Sequence, residues 1–414
     1  MLKTMENKTG KLITVAIIAV FVLFVAIAEK IAPPSWAMLF MVLKKGSIYA
    51  LIAVSMNMLN GFTGLFSLGQ AGFMLLGAYT YGIFTIPVAD RASVYQYFDG
   101  GLIQFSIPSI VALVLAGLVA AAFAFLIGLP VLRLKSDYLA IATLGFAEII
   151  RALFQWNVLG PITNGSNLLR KFPVFQSTIS YVLVVGICVA LVLLLINSSY
   201  GRAFKAIRED EIAAEAMGIN LTKHKMLAFC ISSFFAGIGG ALLAMYQTSV
   251  QAAIFKSAMT YEILLIVVIG GMGSISGSVI ASFLYIACSE WWLRFLDQET
   301  ILQPQNRMIF IIVLAVIFVA LLAMMVYKIM RPKDKGRLRY GIGAGVCAAC
   351  LAWVIWFAAT AQTKVPFLRS GFRMVVFSVI IMIIVLFFSQ GIMGTKELPD
   401  LFKARKKKTE EVAK

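Results

Sequence analysis

SIPSIVALVLAGLVAAAFAFLIGLP (Ser106–Pro130) carries no Asp, Glu, Lys or Arg and is long enough to cross the hydrocarbon of a bilayer as one helix. A soluble helix of this length would show a polar face opposite its apolar stripe. Comparable runs lie at 11–32, 46–62, 64–86, 137–157 and 177–197. They resume at 225–248, 260–273, 275–296, 307–329, 340–361 and 369–390. The runs at 46–62 and 260–273 are short enough to be half-helices. Pro33-Pro34 and Trp36 follow the first run, not a small-residue cleavage site, so it is expected to stay in the mature protein.

Composition agrees with that pattern. The 414 residues are 61% apolar and 13% charged, with a mean hydropathy of +0.92. Soluble domains run near 45–50% apolar and about 25% charged. The expected fold is an all-α polytopic transmembrane helix bundle of ten to twelve spans, some of them broken or half helices. The expected order is a cytoplasmic N-terminus at 1–10, a first transmembrane half at 11–198, and a cytoplasmic loop at 199–224. A second half follows at 225–390, with extra spans within about 304–365, and then a basic cytoplasmic tail at 391–414.

The net charge of +17 invites a nucleic-acid reading, but the distribution of charge opposes it. With the N-terminus inside, most of the 36 Lys and Arg fall at cytoplasmic span ends: 3–11, Arg133 and Lys135, 202–225, 328–339 and 396–414. That is the positive-inside pattern of a multi-pass protein with both termini cytoplasmic, touching anionic lipid and no nucleic acid. Lys44-Lys45, placed on the outer side before the second span, fits least well.

Several chemistries lack residues to perform them. No G-x-x-x-x-G-K-[ST] loop is present to cradle ATP phosphates. The single histidine, His224, lies between Lys223 and Lys225. Cys188, Cys230, Cys288, Cys347 and Cys350 all fall in apolar runs, so Cys347-x-x-Cys350 reads as two small helix residues. There is no Ser/His/Asp set and no metal-spaced cluster. No catalytic residue, metal or cofactor is expected on this chain.

The long polar stretch between spans is NSSYGRAFKAIREDEIAAEAMGINLTKHK (Asn197–Lys225). It reads as two short helices. Asp210 is placed to cap the second, Glu211 suits its positive end, and Gly218 suits the left-handed position after it. An interfacial helix would favour bulky apolar residues. Ala213, Ala214 and Ala216 point instead to close approach of another protein.

Here a resemblance enters. Ala213-Ala214 followed by Gly218 resembles the coupling loop of ATP-binding-cassette importer permeases, with Ile212 where a leading Glu is usual. The fuller run Gly201–Phe229 resembles the branched-chain amino acid permease family of the LivH and LivM type, most of all LivM. LNGFTGLFSLGQAGFMLLGAYTYG (Leu59–Gly82), SDYLAIATLGFAEIIR (Ser136–Arg151), ITNGSN (Ile162–Asn167), GGMGSISGSVIAS (Gly270–Ser282) and FFSQGIMG (Phe387–Gly394) agree in order. Leu168-Leu169 after ITNGSN and the extra sequence around 304–365 depart from the family pattern.

The resemblance implies uptake of leucine, isoleucine and valine across the cytoplasmic membrane of a prokaryote. It also implies partners: a second, LivH-like permease, two cytoplasmic ATPases that bind the ATP, and an extracytoplasmic solute-binding protein. Asp210, Glu211, Ala213, Ala214 and Gly218 would couple to the ATPase. The family also contains urea and short-chain amide permeases, and an ion-coupled secondary carrier is the rival from another class.

Glycine clusters at two junctions, Gly61–Gly77 and Gly270–Gly277, each after a short apolar segment. Such segments mark broken helices beside a transport pathway, or else close helix packing. Gly69, Gly72, Gly271 and Gly273 are therefore candidate gate residues. Glu148 and Arg151, spaced i, i+3, form an ion pair within a span, either structural or in contact with a passing zwitterion. Gln70, Asn164 and Ser166 are polar candidates near the pathway or its outer mouth.

Overall fold

The computed structural model describes residues 20–294 apart from 21, 32, 34, 35 and 135. It also describes 319, 345, 375, 376, 378, 379, 391–394 and 397. Met1–Trp291 with Ile381–Lys414 forms one compact unit, and Trp292–Ile380 a second. Apart from 319, 345, 375, 376, 378 and 379, the expected spans at 307–329, 340–361 and 369–390 lie outside the described residues.

The described residues of the first unit are mainly α-helical. In chain order it holds α1 (Ala37–Asn57), α2 (Gln70–Thr85), α3 (Val88–Val94), α4 (Ser109–Val131), α5 (Ser136–Gln155) and α6 (Gly160–Thr163). These are followed by α7 (Thr178–Ile196), α8 (Ser199–Glu209), α9 (Glu211–Ala216), α10 (Leu221–Gln247), α11 (Ser257–Gly270) and α12 (Ile275–Ile286). Among the described residues, five helices are long and apolar enough to cross a membrane. The bent pair α11–α12 makes six if counted as one span. A helix satisfies its own backbone polar groups, which is why apolar runs in lipid take this form.

The centre of the unit is α10, whose best apolar window is 78% buried against 39% for α4 and 22% for α5. Small residues allow it. Where α10 crosses α2, a Cβ added to Gly77 would stand 2.0 Å from the Gly237 carbonyl oxygen, so the two backbones touch. Dispersion between closely packed backbones drives association where lipid is as apolar as the side chains. The outer rows of α4 and α7 carry exposed Ile110, Leu118, Leu126 and Leu194.

Three expectations change. The run at 46–62 is no half-helix: α1 continues through a π turn, Met58–Phe62, to span 26 residues. Lys44 and Lys45 sit inside it instead of in an outer loop. The Lys44 ammonium donates to the Gln176 carbonyl (2.8 Å) and Lys45 pairs with Glu290. Tethering the two ammonium groups lets the helix run through a pair that hydropathy reads as a boundary. The run at 64–86, by contrast, is helical only from Gln70, leaving Gly64–Gly69 as non-helical chain.

Contacts along α1 fix the course of α12. Near the middle of α1, Lys45 meets Glu290 and the adjacent Gly46 touches the Phe283 ring, and at its C-terminal end Asn57 meets Ser274 and Ser278. Thus α12 returns antiparallel to α1, after a 120° bend at 271–274 that separates it from α11.

The far end of α2 is held by Arg91 of α3, which is 1% exposed. Its guanidinium donates to the carbonyls of Ile83 (2.9 Å), Phe105 (2.7 Å) and Ile103. Burial draws this group's pKa downward. The Ile83 carbonyl lies in the last turn of α2, where partial negative charge suits a buried cation. Nearby, the Tyr95 hydroxyl donates to the Ile162 carbonyl (2.9 Å), and burial pushes its phenol up to about 12.

Candidate functional site: the junction of two helix breaks

The break between α1 and α2 and the break between α11 and α12 meet at one side chain. Asn57, fully buried, reaches Gly271 O (3.2 Å), Ser274 O (2.9 Å) and Ser278 Oγ (2.7 Å) with its amide nitrogen. Its Oδ1 accepts from the Gly273 N–H (2.9 Å). The last carbonyls of α11 and the first N–H groups of α12 have no partners within their own helices. Asn57 satisfies the backbone of the turn between them, and the Ser274 hydroxyl caps α12 by accepting from Gly277 N (3.0 Å).

The second break is also covered from the C-terminal side. Ile392 N and Met393 N donate to Ile269 O (2.7 Å) and Gly270 O (3.2 Å). The Glu397 carboxylate accepts from Ile275 N (2.7 Å), Ser276 N (3.0 Å) and the Ser276 hydroxyl. A carboxylate at the first turn complements the positive end of α12. Gly271 has φ +112°, and a Cβ there would stand 2.4 Å from Gly394 O, so both conformation and space demand glycine.

Chain 63–69 folds back into the bundle. Leu68 N donates to the Thr143 hydroxyl (3.0 Å), Gly69 packs on Thr143, and Gly72 lies against the Ala147 backbone of α5. Gln70, 4% exposed, donates to Ser55 Oγ (2.7 Å), and Ser232 Oγ donates to Ser55 O (2.7 Å). Ser55 of α1 is therefore tied to both α2 and α10.

The α8–α9 element lies against the first break. Phe204 and Ile207 of α8 are buried, the Lys205 ammonium stands 5.5 Å from the centre of the Phe62 ring, and Arg208 Nη1 donates to Gly61 O (2.8 Å). Asp210 caps α9 by accepting from Ile212 N (2.8 Å) and Ala213 N (3.1 Å). Glu211 pairs with Lys225 of α10, and Gly218 follows α9 at φ +83°. Ala214 is buried, whereas Ile212 and Met217 are 81% and 84% exposed beside Ala213. The outward surface of α9 thus presents two bulky apolar side chains and is not made of alanines alone.

The remaining candidates lie apart from this junction. Glu148 and Arg151 form a 2.6 Å ion pair on α5, and Glu148 also accepts from the Ser257 N–H (3.2 Å) and hydroxyl. The pair fastens α5 to the start of α11. Asn164, at φ 62°, donates to Val94 O (3.1 Å) and Leu168 O (3.2 Å), while the exposed Ser166 hydroxyl donates to Gln155 O (3.3 Å). Both line a cleft of about 570 Å³ with Arg170, Lys171 and Gln251. Among the described residues, no three His, Cys, Asp or Glu side chains gather as a metal site.

Sequence reasoning missed Asn57, Arg208 and Glu397 as site residues. Asn57 could have been noticed as an amide inside an apolar run. Arg208 read only as one basic charge among several, and Glu397 was hidden in a basic tail.

The profile of the family described as branched-chain amino acid transport system, permease component, matches residues 38–322. The high-affinity branched-chain amino acid transport system permease protein LivM of Salmonella typhimurium is 36% identical over 277 residues, 59% of this chain and 61% of that one. A probable LivM permease of Methanocaldococcus jannaschii is 26% identical over 59% of this chain and 79% of its own. The Escherichia coli LivH permease is 25% identical over 58% and 80%. The match thus spans about three fifths of the Salmonella protein's length. No solved structure matches. With the profile covering both breaks and the α8–α9 element between them, the chain belongs to the branched-chain amino acid transport system permease family.

Proposed function

We propose that this chain is the LivM-like permease subunit of an ATP-driven importer for leucine, isoleucine and valine. It would sit in the cytoplasmic membrane with both termini inside, beside a LivH-like permease, two ATPase subunits and an external solute-binding protein. The observation that carries the reading is the 36% identity to a permease named for high-affinity branched-chain amino acid transport. The α8–α9 element supports it, because exposed Ile212 and Met217 give a partner something to bury. ATP binding and hydrolysis on the partners would move this element, and the broken helices behind it would change the side to which the path opens. The carrier alternative is weakened because Glu148, the carboxylate it would use, is already bound by Arg151 and Ser257.

The test is reconstitution of the five-component assembly in proteoliposomes with labelled leucine and labelled urea. ATP-dependent leucine uptake without urea uptake is expected. An assembly that hydrolyses ATP and moves neither would overturn the substrate assignment, and uptake that persists without the ATPases would overturn the class. Docking has its own check. Ile212→Glu with Met217→Glu, both outside the core, should abolish co-purification of the ATPase subunits while the permease still inserts. Undiminished co-purification would place the docking surface elsewhere.

A further inference from the structure

The contacts around Asn57 and Arg208 form one continuous link. Arg208 on α8 donates to the carbonyl of Gly61, and a Cβ added at Gly64 would stand 2.9 Å from the Arg208 Cγ. Gly61 is in turn pressed on Asn57: a Cβ there would lie 1.8 Å from Asn57 Oδ1 and 2.6 Å from Gly273 N. Asn57 then reaches across the second break to Gly271, Gly273, Ser274 and Ser278. A hydrogen bond from a guanidinium is stronger than a neutral one. A buried amide with this many partners cannot leave them without exposing unsatisfied groups. The residue after the Arg208–Glu209 pair is Asp210, the cap of α9, so α9 and the link share a backbone.

We propose that Asn57 and Arg208 are positioning residues that make the two helix breaks move as one unit and tie that unit to the α8–α9 element. This rests on the permease reading above and names the parts through which the ATPase would act on the path. Displacement of α9 pulls Gly61 through Arg208, and Gly61 with Asn57 carries Gly273. Interfaces this tightly packed switch between arrangements instead of deforming smoothly.

The test uses the assembled transporter in proteoliposomes, with uptake and ATP hydrolysis measured on the same preparation. Hydrogen exchange is followed over 58–64 and 271–277 with and without a non-hydrolysable ATP analogue. In the unaltered assembly, the analogue should change exchange in both segments together. Arg208→Ala should leave ATP hydrolysis and assembly in place while leucine moved per ATP falls about tenfold. In that variant the two segments should no longer respond to the analogue, and Arg208→Lys should restore part of both signals. Asn57→Ala should keep the response in 58–64 and lose it in 271–277. Arg208→Ala with an unaltered uptake-to-ATP ratio and an unaltered exchange response would overturn the proposal, even if Asn57→Ala fails to assemble. An assembly that moves no leucine but shows the paired response would refute the substrate reading alone and leave the link standing.

Discussion

The two helix breaks meet at Asn57 yet are held from different directions. The first, at 58–69, is gripped by α8 through Arg208 and Lys205 and folds back against α5 at Thr143. The second, at 271–274, is closed by the chain's own C-terminal segment, through Ile392, Met393 and Glu397. One break is therefore tied to the α8–α9 element between the two halves, the other to residues near the C-terminus. A broken helix needs an external partner for its freed backbone groups, and the choice of partner decides what can pull on it.

Substitutions can separate the two arrangements. The largest effect is expected from Gly61→Val, which forces side-chain atoms into Asn57 and Gly273 and damages both breaks at once. Overpacking of this kind costs about 3 kcal/mol. A large drop in the thermal midpoint of the detergent-solubilised protein would register it, and an unchanged midpoint would show that the contact between the breaks is loose. Glu397→Ala should act on the second break alone, removing the carboxylate from the start of α12 at a cost of about 1–2 kcal/mol. Hydrogen exchange at Ile275 and Ser276 should rise about tenfold with 58–69 unaffected. A rise in both segments would mean that the strap serves the whole junction. The smallest effect is expected from Asp210→Ala, about 1 kcal/mol of local helix stability. Faster exchange at Ile212 and Ala213 should appear, with both breaks as before.

Much of this architecture was legible in the chain. The apolar runs located the long helices, Asp210 and Gly218 delimited α9, and the i, i+3 spacing of Glu148 and Arg151 foretold their pairing. All three depend on neighbours within a turn or two, where hydropathy, capping and helical spacing act. The runs at 46–62 and 64–86 misled for the converse reason. Lys44 and Lys45 are accommodated inside α1 because Gln176 and Glu290 approach from elsewhere, and Gly64–Gly69 leaves the helix where Thr143 of α5 and the Asn60 amide give its backbone other partners.

By itself, then, the sequence determined a bilayer-spanning helical chain of the branched-chain amino acid permease type, with one capped helix pair between its halves. Tertiary structure alone decided that the two glycine-rich breaks share Asn57, and that Arg208 joins them to that helix pair. The partners of Asn57 lie more than 210 residues away along the chain. Apolar burial is set by composition over a window, whereas a buried amide takes whatever donors and acceptors the packing of distant helices brings within reach.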